Sequence, residues 1–245
     1  MKQITVLLAD DRTIMREACR QMLEGEADLC VVGEAQDGRQ AVEMVKRLHP
    51  DVVVMDIAMP HLNGLEASHQ VTKAVPTTKV LILSAQSENV DITKAMEAGV
   101  AGYLTKHSSV HDLYRAVREV HRGKMFFSPG ICRPRHRLHP QAFGRTGMIN
   151  HRAAELTSRQ REVLQLVAEG NANKQTAAEL GISVKTVEKH RERLGAKLDI
   201  HDTAGLTRYA VGAGVIDVPL FGKPGIRNPE SRASHRRSRR WEIIF

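Results

Sequence analysis

Residues 52–56 and 79–84 read Val52-Val53-Val54-Met55-Asp56 and Lys79-Val80-Leu81-Ile82-Leu83-Ser84, and these two runs decide the fold. Both apolar stretches lack the alternation of a strand with one wet face. Each therefore predicts a strand buried on both sides, the habit of a parallel sheet. Working outward, similar short runs lie at 4–9, 29–35 and 102–104, and an amphipathic stretch follows each of the five, near 12–24, 38–48, 64–74, 88–98 and 109–121. Five βα units predict an α/β domain over residues 1–122, a doubly wound five-stranded parallel sheet with helices on both faces.

Beyond it the pattern changes. Residues 123–155 carry Gly123, Pro129, Gly130, Pro134, Pro140, Gly144 and Gly147, which interrupt any helical period and predict a linker. A second unit spans 156–216. Thr157 and Gln160 form a capping box for a helix 158–169, Gly170 stops it, and helices at 174–180, 184–198 and 203–213 follow, with the turn Gly181-Ile182-Ser183 between the second and third. That is a small all-α, four-helix domain of helix-turn-helix type. Gly, Pro, Ser and Arg dominate residues 217–245, which read as a basic disordered tail.

The chain of 245 residues is 42% hydrophobic and 26% charged, the balance of a soluble globular protein. No run approaches the roughly 18 apolar residues of a membrane span, and Ile4 to Ala9 is too short for a signal-peptide core, so a cytoplasmic location is expected. Cys19, Cys30 and Cys132 are too few and too scattered for a disulfide framework. Cys132 with His136 and His139 falls short of the four ligands of a closed zinc site. His107 and His111, four apart, read as a solvated pair. Residues 1–122 hold 14 Lys and Arg against 17 Asp and Glu, a net of −3, whereas residues 123–245 hold 22 against 11, a net of +11. An acidic half joined to a basic half suggests that the second half meets a polyanion.

Ligands of open parallel sheets bind at the carboxyl ends of strands. Asp10 and Asp11 end the first strand, Asp56 the third and Ser84 the fourth, and Lys106 follows the fifth. Three clustered carboxylates repel one another, and a hard divalent cation such as Mg²⁺ relieves that repulsion with oxygen ligands. An aspartate in such a site can attack phosphorus, with Lys106 and Ser84 holding the phosphoryl oxygens. Asp56 is the expected nucleophile. A phosphatase using paired acids is disfavoured, because Asp56-Ile57-Ala58 lacks the second carboxyl.

On the second unit, Lys185, Glu188, Lys189, Glu192 and Arg193 fall on the outer face of helix 184–198, with Val187, Leu194 and Leu198 inward. Lysine can approach guanine and glutamate can accept from cytosine, so this face can discriminate bases in a major groove.

Asp10-Asp11, Asp56-x-x-Met59-Pro60 with Asn63-Gly64, Ser84-Ala85 and Gly102-Tyr103-Leu104-Thr105-Lys106 resemble the flavodoxin-like receiver domain of two-component response regulators. Leu156-Thr157-x-Arg159-x-x-Glu162-Val163-Leu164, Glu169-Gly170, Asn173-Lys174, Leu180-Gly181-Ile182-Ser183, Thr186-Val187, His190 and Lys197-Leu198 resemble the LuxR-type DNA-binding domain. Together they are similar to the NarL/FixJ class. The resemblance implies that a sensor histidine kinase phosphorylates Asp56, and that Asp10, Asp11, Asp56 and the Ala58 carbonyl hold Mg²⁺. It implies further that Lys106 binds the phosphoryl group while Ser84 and Tyr103 report it. On the helical unit it assigns Lys174, Lys185, Thr186 and Lys197 to DNA phosphates, and Glu188, Lys189 and Glu192 to bases. The implied protein is no enzyme but a transcription factor on double-stranded DNA, homodimeric when phosphorylated, with RNA polymerase a further candidate partner and no membrane. Its resting receiver is expected to cover the recognition helix. Thr176, Gly195 and the basic tail depart from the family pattern. Two competing readings remain at this point, a partner-switching module with weakened sequence readout and an acyl-phosphate hydrolase.

Overall fold

The computed structural model describes residues 3–85, 92–128 and 156–216. In the first unit β1 (Ile4–Ala9), α1 (Thr13–Glu24), β2 (Leu29–Ala35), α2 (Gly38–Leu48), β3 (Val52–Met55), α3 (Gly64–Ala74), β4 (Lys79–Ser84), α4 (Ile92–Glu97), β5 (Gly102–Thr105) and α5 (Val110–His121) alternate, followed by β6 (Phe126–Phe127). The strands form one parallel sheet in the order β2-β1-β3-β4-β5-β6. Successive residues of each strand face opposite layers. Leu7, Val53, Met55, Val80, Ile82 and Tyr103 pack one core beneath α2 and α3, while Val6, Leu8, Val52, Val54, Leu81 and Leu104 pack the other beneath α1 and α5. The order reverses between β1 and β3, and there the sheet presents Asp10 and Asp56 side by side.

The sheet has six strands, not the five expected. Phe126–Phe127, read as linker, pairs with Gly102 and Tyr103 of β5. Gly123, with φ 79°, reverses the chain after α5, and the two phenylalanines then join the cores on opposite sides of the sheet. A two-residue strand is too short for periodicity to reveal. The fourth helix is described over Ile92–Glu97, within the expected 88–98. His107 precedes α5 and so does not share a helix face with His111. The linker and tail readings, with Cys132, His136 and His139, lie outside the described residues. No helix among the described residues is long and apolar enough to cross a membrane.

The second unit packs α6 (Ser158–Ala168), α7 (Asn173–Leu180), α8 (Val184–Leu198) and α9 (Thr203–Gly212) around Leu156, Val163, Leu164, Leu166, Val167, Val187, Leu194 and Leu206. Thr157 and Gln160 form the expected capping box on α6. Gly181, in the left-handed conformation, ends α7, and Ser183 accepts from the Thr186 N–H to start α8. Gly195 lies where a Cβ would stand 3.0 Å from the Ile200 carbonyl oxygen, so this departure from family pattern accommodates the close return of the loop after α8.

Thr176 is fully buried and its hydroxyl has no hydrogen-bond partner among the described residues. A buried hydroxyl left unsatisfied costs about 1–3 kcal/mol. Thr176→Val keeps the shape and removes the hydroxyl, and it is expected to stabilise the helical unit by about 1 kcal/mol. Urea unfolding followed by far-UV ellipticity checks this, and a midpoint at or below that of the parent would show that the hydroxyl is satisfied.

Candidate functional site

The acidic rim is built by backbone placement. The Asp56 N–H donates to the Ala9 carbonyl at 2.8 Å, and the Asp10 N–H donates to Ala35 at 3.2 Å, which sets the two carboxylates at adjacent strand ends. The Lys106 N–H donates to the Ser84 carbonyl at 2.8 Å and brings the lysine to the same rim. Lys106 Nζ donates to Asp10 Oδ2 at 2.6 Å and to Asp56 Oδ2 at 2.8 Å. The other Asp56 oxygen accepts from the Ile57 N–H at 2.8 Å. Asp10 and Asp56 are buried and Asp11 is exposed. One carboxylate oxygen from each of the three lies within 4.8 Å of the others. Such a set of hard oxygen donors, with one member open to water, fits a divalent cation that keeps part of its hydration shell.

Burial pushes the Asp56 carboxyl above its ordinary value, against the pull of the Lys106 ammonium, and the Asp10 charge adds to the rise. Burial also disfavours the Lys106 ammonium, but its bonds to Asp10 and Asp56 outweigh this and leave its pKa raised. The two charges thus hold each other in a partly dry site. Tyr103 is wholly buried, and burial lifts its phenol to about 12 despite a hydrogen bond to Ser84. Ser84 and Tyr103 are therefore in direct contact. Burial, then Asp10, pushes the neighbouring Cys19 thiol up to about 11, so it is a neutral packing group. Arg16, overlooked in the sequence because one arginine on a helix reads as solvated, is buried and donates to the Asp10 carbonyl at 2.8 Å.

On the helical unit α8 presents Lys185, Glu188, Lys189, Glu192 and Arg193 to solvent, with Lys174 and Lys197 also exposed and Thr186 half-buried. Lys197 Nζ donates to Gln160 Oε1 at 3.2 Å. Arg191 ties this helix to its neighbours by donating to Asn173 Oδ1 at 2.9 Å and Thr203 Oγ1 at 3.0 Å.

Comparison with known proteins matches residues 6–118 to the response regulator receiver domain and residues 154–210 to the bacterial regulatory proteins of the luxR family. The chain is 33% identical over 208 residues to the response regulator protein VraR of Staphylococcus aureus (strain Mu3 / ATCC 700698), covering 84% of this chain and 96% of that one. The chain belongs to the response regulators. Among solved structures, a LuxR-family response regulator from Aurantimonas sp. SI85-9A1 is 32% identical, with a TM-score of 0.51 over 53% of this chain and 93% of that one. The response regulator RcsB in its DNA complex has a TM-score of 0.51 at 21% identity, over 86% of this chain and 99% of that one, a likeness of fold. The present protein is thus a DNA-binding response regulator, a receiver followed by a LuxR-type helix-turn-helix domain.

Among the described residues the receiver of this response regulator meets α6 and the end of α7 rather than the recognition helix, contrary to expectation. The outer-face residues Lys185, Glu188, Lys189, Glu192 and Arg193 of α8 are exposed. Arg161 Nη1 donates to Glu66 Oε2 at 2.7 Å, and the Ser158 hydroxyl donates to the other Glu66 oxygen. Gln70 Nε2 donates to Glu162 Oε1 at 2.8 Å, and Arg39 reaches Glu162 at 3.4 Å. Gln165 donates to the Met59 carbonyl at 3.0 Å and accepts from the Asn63 N–H at 2.8 Å. The Asn63 side chain donates to the Val215 carbonyl at 3.2 Å. None of these residues was singled out for docking in the sequence, because polar positions on a helix read alike whether they face water or another domain.

Proposed function

We propose that the regulator takes a phosphoryl group from a sensor histidine kinase onto Asp56 and thereby gains dimeric, sequence-specific control of transcription. The observation that carries this reading is the Lys106 ammonium bridging Asp10 and Asp56 at the carboxyl rim. In the transfer an Asp56 oxygen bonds to phosphorus, the bond from phosphorus to the donor's histidine nitrogen breaks, and that nitrogen keeps the electron pair. Asp10, Asp11, Asp56 and the Ala58 carbonyl would hold Mg²⁺, which when bound offsets the charge gathered on the phosphoryl oxygens. Lys106 leaves the carboxylates to hold a phosphoryl oxygen. Ser84 turns to another oxygen, its contact with the already buried Tyr103 is rearranged, and the face near α4 and β5 becomes the dimer surface. The protein is a stoichiometric phosphoacceptor rather than a turnover catalyst. We place it in the cytoplasm, with RNA polymerase as a downstream partner. The proposed division is a receiver over 1–122, to which β6 adds an edge, a linker, a DNA-binding domain over 156–216 and a basic tail.

On DNA, Lys174, Lys185, Thr186 and Lys197 contact phosphates, Glu188, Lys189 and Glu192 meet base edges, and Arg193 lies beside them on the same DNA-facing surface. Selection from random duplexes at about 0.15 M salt, with and without a small phosphodonor, tests the reading. A two-fold-related site that sharpens with the phosphodonor is expected. Glu188→Ala and Lys189→Ala are expected to relax the choice at single base pairs by about 1–3 kcal/mol each. Lys185→Ala is expected to weaken all sequences alike. Selection by Glu188→Ala and Lys189→Ala that matches the parent would remove α8 as the reader.

A further inference from the structure

The turn between β3 and α3 carries Ala58 and is held from two sides. Its own bonds run from the Met59 and Gly64 N–H groups to the Ile57 carbonyl, at 3.0 and 2.9 Å, and from the Leu62 N–H to Pro60 at 2.7 Å. Gly64 is obligatory there, since a Cβ would fall 1.9 Å from the Asp56 carbonyl oxygen. Further bonds come from α6 and its C-cap residue Glu169. The Gln165 side chain is buried, and its amide oxygen accepts from the Asn63 N–H while its nitrogen donates both to the Met59 carbonyl and to Glu169 Oε1, the latter at 2.8 Å. Glu169 in turn accepts from the His61 N–H at 3.1 Å. His61 has φ 64°, a left-handed conformation that a residue with a Cβ adopts only when its surroundings impose it. The DNA-binding domain therefore supplies bonds that hold a strained turn one residue away from a proposed metal ligand.

We infer that Gln165 is a positioning residue for the receiver's metal site, so that docking of the helical domain preorganises the turn and tightens divalent-cation binding. When the domains part, the Met59, His61 and Asn63 peptide groups turn to water, and the turn relies on its internal bonds alone. By the reciprocity of linked equilibria, the cation in turn favours the docked form. The resting regulator is then both closed and charged with metal before any kinase meets it. This inference rests on the acidic-site reading above.

The test uses the full chain, with Mg²⁺ alone as probe, by titration calorimetry without phosphodonor and by amide hydrogen exchange over residues 57–64. Gln165→Met keeps the side-chain length and removes both bonds to the turn, and Gln165→Ala is the second variant should the first disturb packing. Neither changes the charge, so a shift in affinity does not arise from the field at the ion. Both variants are expected to bind Mg²⁺ about fivefold more weakly, with faster exchange at the turn and both domains still melting cooperatively. Parental Mg²⁺ affinity in a folded variant overturns the inference and leaves the acidic site standing. A parent chain that neither binds Mg²⁺ nor takes up a phosphoryl group from a small phosphodonor overturns the acidic site, and the inference with it.

Discussion

Asp56→Asn is expected to abolish phosphoryl uptake while yielding a protein more stable than its parent. The amide is the same size and can still accept from Lys106, but it is not a nucleophile toward phosphorus. Intact-mass measurement after incubation with a small phosphodonor and Mg²⁺ gives the readout, and an adduct that persists in the variant would remove Asp56 as acceptor. The stability gain follows from burial, which lifts the Asp56 carboxyl above its ordinary value. A raised carboxyl binds its proton more tightly in the folded state than in the unfolded one. Its ionised form therefore costs folding free energy at neutral pH, and the cost disappears as pH falls through the folded value toward the unfolded one of about 3.9. The asparagine variant should be the more stable of the two at pH 7, with the gain vanishing in acid. For the parent, phosphoryl uptake should begin to fail on acidification at a higher pH than an exposed aspartate would show.

Arg161→Ala is expected to part the two domains without unfolding either. Glu66 is only 2% exposed at its side chain, and Arg161 is its charged partner across the interface. Leaving a buried carboxylate unpaired costs about 3–5 kcal/mol. The chain avoids that cost by letting water reach Glu66, which needs only that α6 leave α3. Small-angle scattering of the variant should show a larger radius of gyration, and hydrogen exchange should rise along both helices with the domain melting profile retained. Adding Glu66→Gln removes the stranded charge and should recover part of the docking, since a neutral amide is far cheaper to bury. An unchanged radius in Arg161→Ala would mean that Gln165, Gln70 and Arg39 hold the domains without the ion pair.

Much of the fold was legible because parallel strands and their helices obey different periods. The runs at 52–55 and 80–83 could only be buried on both faces, and their carboxyl ends then had to converge. Asp10, Asp56, Ser84 and Lys106 followed from that rule together with the resemblance. What escaped was whatever depends on distance in space between residues far apart in the chain. Gln165 is an unremarkable polar residue in an amphipathic helix until Met59 and Asn63 are placed against it, over a hundred positions away in sequence. Glu66 likewise reads as a surface acid in the first turn of a helix. The open recognition face was missed for the same reason, since a family resemblance says that two domains meet without saying which faces do so.

The short strand β6 bears on how the receiver can be cut from its neighbour. Phe126 and Phe127 occupy the outer edge of β5, and beyond them the Ser128 N–H donates to the Tyr103 carbonyl at 3.0 Å while its hydroxyl lies 3.1 Å from that of Ser108. A fragment ended at residue 122 would strip that edge, baring the backbone of Gly102 and Tyr103 and two apolar hollows. An uncovered flat edge is a template for edge-to-edge pairing and aggregation. A receiver intended for work in isolation should run past Ser128, and poor solubility of a shorter piece would report the lost strand rather than any frailty of the fold.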